Sequence, residues 1–374
     1  MAPTRPNKKS KKRTEKKAAN PALHLAEAVT KLQEGELEKA VSAAKKALDG
    51  TGSGGDYELA AINLLGQISI EMGEIDDARA HFLKAVELDQ DGSLDERIGG
   101  GPEKFLWLAQ LSEEGGQDSV NWFERGASSL RGQIQALVDL PKRNAEQEAQ
   151  LEEKKRKLGG TLCAVAEVYM TDLSWEADAE QRCEALITEA GLVAPDLAET
   201  WQTIANVRIS QEKTDEAKAA LTRSLELWIN LPPLDPHVPD FATRISLVRL
   251  LLEVEMEQEA IEVLERLVGD DDQSVEAWYL GGWALFILGE KFKNKKLESQ
   301  DQDEWKVTWS TSRRWLMRCM NLYAAQEYED ERLGEHSKEL FAAINKELGD
   351  PPADEEDDDG WEDAESDGDE TMEE

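Results

Sequence analysis

Apolar residues recur along this chain with the three-and-four spacing of amphipathic helices, and the strict alternation typical of strands is absent. From Pro21 to about Leu348 the pattern is interrupted only at Gly or Pro clusters, including Gly50–Gly55, Gly99–Pro102 and Leu231–Pro239. The sequence therefore predicts an all-α fold in which helices follow one another almost continuously.

The predicted helices come in pairs with a fixed order of bulky and small positions. In the clearest unit, which starts near residue 59, the first helix carries Leu65 and Gly66, and the second carries Ala78, Phe82 and Ala85. Small residues allow neighbouring helices to approach, and bulky residues fill the space between them. Such an order of residues predicts stacked helix pairs.

Similar units start near residues 21, 198, 241 and 275, and two weaker ones lie near residues 105 and 183. The stretch Trp201–Ala205 and the residues Trp278, Gly281 and Gly282 resemble the first-helix signature of the tetratricopeptide repeat (TPR). We predict a TPR-type superhelix of about seven helix pairs, closed by a capping helix near residues 330–347.

Composition divides the chain into three parts. Residues 1–20 hold eight Lys or Arg and one Glu, and residues 350–374 hold fifteen Asp or Glu and no Lys or Arg. Both segments lack the apolar residues of a core, so we expect a disordered basic tail and a disordered acidic tail. Between them, residues 21–349 form the predicted superhelix, with insertions near 142–158 and 290–304.

The charge of the chain limits its partners. The net charge is −36 and the body is acidic without its tail, so direct binding to nucleic acid is not expected, whereas a basic protein would be attracted. The alternative is that this charge only keeps the protein soluble. The longest apolar run, Ala277–Gly289, is too short to span a membrane, and no secretory signal is evident.

Nothing in the sequence predicts catalysis. The three cysteines and four histidines are scattered without ligand spacing, so no metal site is expected. Gly50, Gly52 and Gly55 match a dinucleotide fingerprint as text but follow a helix and not a strand. We therefore predict a binding protein with no cofactor, and we expect a monomer because a capped array has no open end.

Partner-contacting residues are predicted from the groove positions of the first helices. The residues at these positions are amides, carboxylates and aromatics, which can hold a peptide backbone or a basic side chain. They are Asn63, Gln67, Glu199, Gln202, Asn206, Arg249, Glu276, Tyr279 and Trp283. The alternative for Trp283 and Phe286 is that they pack against the final helix as core.

The tails add two further expectations. Lys8, Lys9, Lys11, Lys12 and Arg13 form a basic run of the kind that a nuclear import factor recognises, so we expect the protein in both cytoplasm and nucleus. The acidic tail contains Trp361 and could shield a basic client. The alternative is that both tails are merely solvated.

A Lys-rich head, about seven TPR units and the tail segment Asp358–Asp363, which contains Trp361, together resemble the fungal dedicated assembly chaperones of large-subunit ribosomal protein four. That resemblance implies capture of a newly made basic ribosomal protein through its internal loop, escort into the nucleus and release at the precursor of the large subunit. A histone chaperone and a structural TPR adaptor in a larger complex are the alternatives.

Overall fold

The computed structural model of the protein describes residues 20–295 and 304–350. These residues form fifteen α-helices and one 3-10 turn, and no β-strand occurs among them. The predicted all-α fold is therefore confirmed. Nearly all of both predicted tails, the import signal and residues 296–303 of the second predicted insertion lie outside the described residues.

The helices follow one another as seven pairs and a final helix, in agreement with the repeat pattern. In chain order they are α1 (Pro21–Gln33), α2 (Leu37–Thr51), α3 (Glu58–Glu71), α4 (Ile75–Leu88), α5 (Glu103–Gln110), α6 (Gly116–Val138), α7 (Ala145–Met170), α8 (Ala179–Val193), α9 (Ala198–Ser210), α10 (Thr214–Glu226), α11 (Phe241–Glu253), α12 (Glu257–Asp270), α13 (Val275–Lys295), α14 (Glu304–Ala325) and α15 (Glu331–Leu348).

The chain divides into two compact units, Met1–Thr203 and Ile204–Glu374, and the boundary falls within α9. In the first unit α1 packs on α2, α3 on α4, α5 on α6 and α7 on α8. In the second unit α11 packs on α12, α13 on α14 and α14 on α15. First helices of neighbouring pairs also touch, α1 with α3 in the first unit and α11 with α13 in the second.

The small and bulky positions of the clearest repeat perform the roles that the pattern predicts. Ala78, Phe82 and Ala85 of α4 are at most 1% exposed. Gly66 of α3 faces the ring of Phe82, and a Cβ atom on this glycine would lie 2.7 Å from it. Because that distance is far below van der Waals contact, only glycine allows the two helices this separation.

Two connections depart from a regular repeat. Residues 145–158 of the first predicted insertion form the start of the long helix α7, whose N-terminus is closed by a capping box between Asn144 and Gln147. Residues 89–102, between α4 and α5, form a long connection that includes the 3-10 turn Glu96–Ile98. The pattern of apolar residues predicts a break near residues 99–102 but not the size of this connection.

Candidate partner-binding surface

Asn63 lies on α3 at a predicted partner-contacting position, but its amide already has a hydrogen-bond partner within the chain. Its Nδ2 donates a hydrogen bond to the backbone carbonyl of Gly99 at 2.5 Å. Its Oδ1 is buried and has no hydrogen-bond partner among the described residues. Asn63 thus holds a backbone, as the groove position predicts, but the backbone belongs to its own chain. Gln67, one turn further along α3, is half-buried.

The α9 residues differ in how accessible they are. Glu199 and Asn206 are half-buried. Gln202 is only 6% exposed, and its Nε2 has no hydrogen-bond partner among the described residues. An unpaired buried donor costs about 1–3 kcal/mol relative to a paired one. Of the three predicted α9 residues, Glu199 and Asn206 are therefore more accessible to a partner than Gln202.

Glu167 of α7 is an acidic residue near Glu199 that the sequence analysis missed. The pKa of the Cys163 thiol is raised to about 11, chiefly by burial, and the nearby charges of Glu167 and Glu199 contribute to this rise. Glu167 is exposed to solvent, yet desolvation raises its own pKa. Glu167 follows Cys163 by one helical turn, so the two residues share a face of α7. This spacing could have indicated Glu167 once the register of α7 was known.

The predicted residues of α11 and α13 are brought together in the second unit, but they bind one another and α15. Arg249 donates to the Glu276 carboxylate. The Tyr279 hydroxyl hydrogen-bonds with Nδ1 of His336 at 2.8 Å, and the Trp283 ring meets the same imidazole edge-on, with centroids 5.7 Å apart. These four residues thus form part of the intramolecular packing of the unit.

The structure favours the packing alternative for the aromatics at the end of α13. Phe286 stacks on Trp309 with ring centroids 5.1 Å apart. Trp283 and Phe286 both lie against a buried cluster that includes Leu340 and Ile344 of the final helix. Because Trp283 remains half-buried, only part of its surface can meet a partner.

A run of basic residues in α7 is neutralised by intramolecular ion pairs. Lys154 pairs with a carboxylate oxygen of Glu96 at 2.7 Å, and the next three cations are each paired as well, Lys155 with Glu152, Arg156 with Asp196 and Lys157 with Glu103. Three of the four acidic partners lie outside α7, so these ion pairs connect α7 to neighbouring segments of the chain. These four cations are therefore balanced by carboxylates of the same unit.

Two kinds of feature are absent from the described residues. Across 20–295 and 304–350, no three metal-ligating side chains converge. Among the helices in that same part of the chain, none combines the length and the apolar character that crossing a membrane requires.

Comparison with known proteins identifies the repeat and the family. The tetratricopeptide repeat model matches residues 59–91 and 198–227, which correspond to the pairs α3–α4 and α9–α10. A "Probable assembly chaperone of rpl4" from Emericella nidulans is 47% identical over 393 residues, covering 100% of this chain and 97% of the relative. A protein of the same description from Schizosaccharomyces pombe is 33% identical and covers 90% and 94%.

A solved structure agrees with these relatives. The "Assembly Chaperone of RpL4 (Acl4) (Residues 1-338)" is 60% identical and superposes with a TM-score of 0.70, covering 74% of this chain and 99% of that one. The TPR-type fold and the resemblance drawn from the head, the repeats and the tail are thereby confirmed. With near-complete coverage of both relatives at 47% and 33% identity, this chain belongs to the family of rpl4 assembly chaperones.

Proposed function

We propose that the protein binds newly made rpl4 as a monomer, shields its basic RNA-binding loop and accompanies it into the nucleus for assembly of the large ribosomal subunit. The observation that carries this proposal is the full-length similarity to two relatives described as assembly chaperones of rpl4. Membership of a chaperone family also favours a binding role over catalysis.

The charge of the first unit gives the proposal a physical basis. A protein that binds ribosomal RNA carries clustered Lys and Arg that neutralise phosphates. Away from RNA, those cations need another source of negative charge. Residues 20–203 hold more acidic than basic residues, and the α7 cations are paired internally. An acidic surface can therefore replace RNA until delivery, and it speeds association through electrostatic steering.

The first test is direct binding of purified rpl4 by titration calorimetry at several salt concentrations. We expect one rpl4 per chain, affinity that falls as salt rises, and loss of binding when the internal loop of rpl4 is deleted. A histone H3–H4 preparation serves as a second basic client. Equal affinity for histones, or full binding by loop-deleted rpl4, would contradict the proposal.

Glu199→Lys is expected to weaken rpl4 binding about tenfold, because a half-buried carboxylate is replaced by a cation that repels the basic client. The matched control is Glu87→Lys, which makes the same charge change at an exposed position of α4, the second helix of its pair. If both variants bind rpl4 like the parent protein, then Glu199 does not lie in the contact surface.

Alanine substitution of the five basic residues of the predicted import signal, Lys8, Lys9, Lys11, Lys12 and Arg13, is expected to remove nuclear accumulation of a fluorescent fusion and to leave rpl4 affinity unchanged. Substitution of Lys45 and Lys46, a basic pair within α2, is the control. Undiminished nuclear signal in the five-residue variant would show that entry depends on another segment or on the client.

A further inference from the structure

The connection between α4 and α5 is a closed Ω-loop, Asp89–Gly101. Its two ends meet because Oδ2 of Asp89 accepts hydrogen bonds from the Gly101 backbone N–H at 3.1 Å and from Lys104 Nζ at 2.7 Å. Lys104 Nζ also donates to the Gly101 carbonyl at 2.7 Å. Compact surface loops with joined ends and connections of this length are commonly functional.

Contacts from two helices hold the loop in one conformation. From α6, Ser129 donates to the carbonyl of Gly92 at 2.7 Å and Arg125 donates to the carbonyl of Gln90 at 2.6 Å. From α3, Asn63 donates to the carbonyl of Gly99. This position requires glycine, because its φ is +88° and an added Cβ atom would lie 2.6 Å from the Ala60 backbone. The loop is therefore an ordered part of the surface and not a loose connection.

The tip of this ordered loop exposes apolar side chains to water. Leu94 is 40% exposed and Ile98 is 38% exposed. Between them, Asp95 and Arg97 form a two-pronged ion pair, with Arg97 Nε 3.0 Å from Oδ1 and Nη2 2.5 Å from Oδ2 of the carboxylate. The Arg97 side chain is itself 89% exposed. Thus two exposed apolar residues lie one position before and three positions after Asp95, whose carboxylate already pairs with a guanidinium group.

The position of the loop connects it with the proposed partner surface. The Gly99 carbonyl accepts a hydrogen bond from Asn63 on α3, and the Glu96 carboxylate accepts one from Lys154 on α7. Both α3 and α7 are the first helices of their pairs. The loop therefore lies against a groove position of the first unit. A client that reaches Asn63 also comes close to this loop.

We propose that the loop tip is a subsite for one arginine or lysine of the client, with Leu94 and Ile98 packing on its aliphatic stem and Asp95 pairing with its charged head. Long basic side chains have this division between an apolar stem and a charged end. Arg97 occupies the carboxylate in the free protein and competes with the incoming cation. The subsite rests on the proposed function, since it takes the same basic client.

The test uses the full chain and purified rpl4 in titration calorimetry at one fixed salt concentration. The double variant Leu94→Ser with Ile98→Ser is expected to bind about tenfold more weakly, because the stem of the client side chain loses its apolar contact. Arg97→Ala is expected to bind about threefold more tightly, because the competing cation is removed and Asp95 becomes free.

A matched double variant, Leu192→Ser with Leu234→Ser, removes two apolar side chains that are 78% and 97% exposed and is expected to bind like the parent protein. Parental affinity in the Leu94 and Ile98 variant, or weaker binding by Arg97→Ala, would overturn the subsite while leaving the proposed function intact. Absence of rpl4 binding by the parent protein would instead overturn the proposed function.

Discussion

Replacing Lys104 with methionine is expected to lower the free energy of unfolding of the first unit by about 3–5 kcal/mol, because the Asp89 carboxylate would stay buried without its cation. The two side chains are 0% and 1% exposed, with Nζ and Oδ2 2.7 Å apart. Burial lowers the pKa of Lys104, although the hydrogen bond and charge of Asp89 act in the opposite direction. Each of the two buried charges is therefore stabilised only while the other one is present.

Chemical denaturation followed by circular dichroism measures this change, and hydrogen exchange of residues 89–101 localises it to the Ω-loop. Lys84→Met, the same substitution at an exposed position of α4, should change stability by less than about 0.5 kcal/mol. Adding Asp89→Asn to Lys104→Met should restore part of the loss, because the buried charge is gone while the single amide oxygen can still accept from one of the two backbone N–H groups, Leu94 or Gly101, that the two carboxylate oxygens bind. A further loss in the double variant would contradict this account.

Gly281→Ala is expected to destabilise the second unit by about 3 kcal/mol, near the upper end of the cost of overfilling a core. A Cβ atom on Gly281 would lie 2.1 Å from the ring of Trp315. That ring is 7% exposed and packs against Trp278 with centroids 4.7 Å apart, so it has little room to move. Helices α13 and α14 would have to separate to admit one methyl group.

Thermal unfolding monitored by tryptophan fluorescence reports this change, since Trp278 and Trp315 lie at the point of contact. The control is Gly269→Ala in α12, where a Cβ atom would have nothing within 4 Å. Because alanine favours a helix over glycine, this control should be neutral or stabilising by up to about 1 kcal/mol. Equal midpoints for the two variants would show that the close approach of α13 and α14 tolerates a methyl group.

Much of the fold follows from periodic patterns within single helix pairs. Gly66 and Phe82 occupy repeat positions that a bulky-and-small pattern predicts, because both serve one contact between adjacent helices. The same pattern marks Trp278 as a core residue of α13, and it is 4% exposed. Such contacts are local in the chain, so the spacing of residue types is enough to find them.

The Ω-loop shows where a periodic pattern stops being informative. Its conformation depends on Asp89 meeting Lys104 and on Ser129 meeting Gly92, contacts between single residues that no repeat position specifies. The glycines near residue 99 predict a break in helix, but a break does not state which helix the connection will lie against.

The sequence by itself determined the helix pairs, the small and bulky positions that pack them and the acidic character of the body, because each is a property of composition or of short-range periodicity. Only the tertiary structure decided which predicted partner-contacting side chains are free. Asn63 is held by Gly99, Arg249 by Glu276 and Tyr279 by His336, across separations of 36, 27 and 57 residues. Each side chain offers the same hydrogen-bonding groups wherever it lies, so its availability depends on which distant segment folds opposite it.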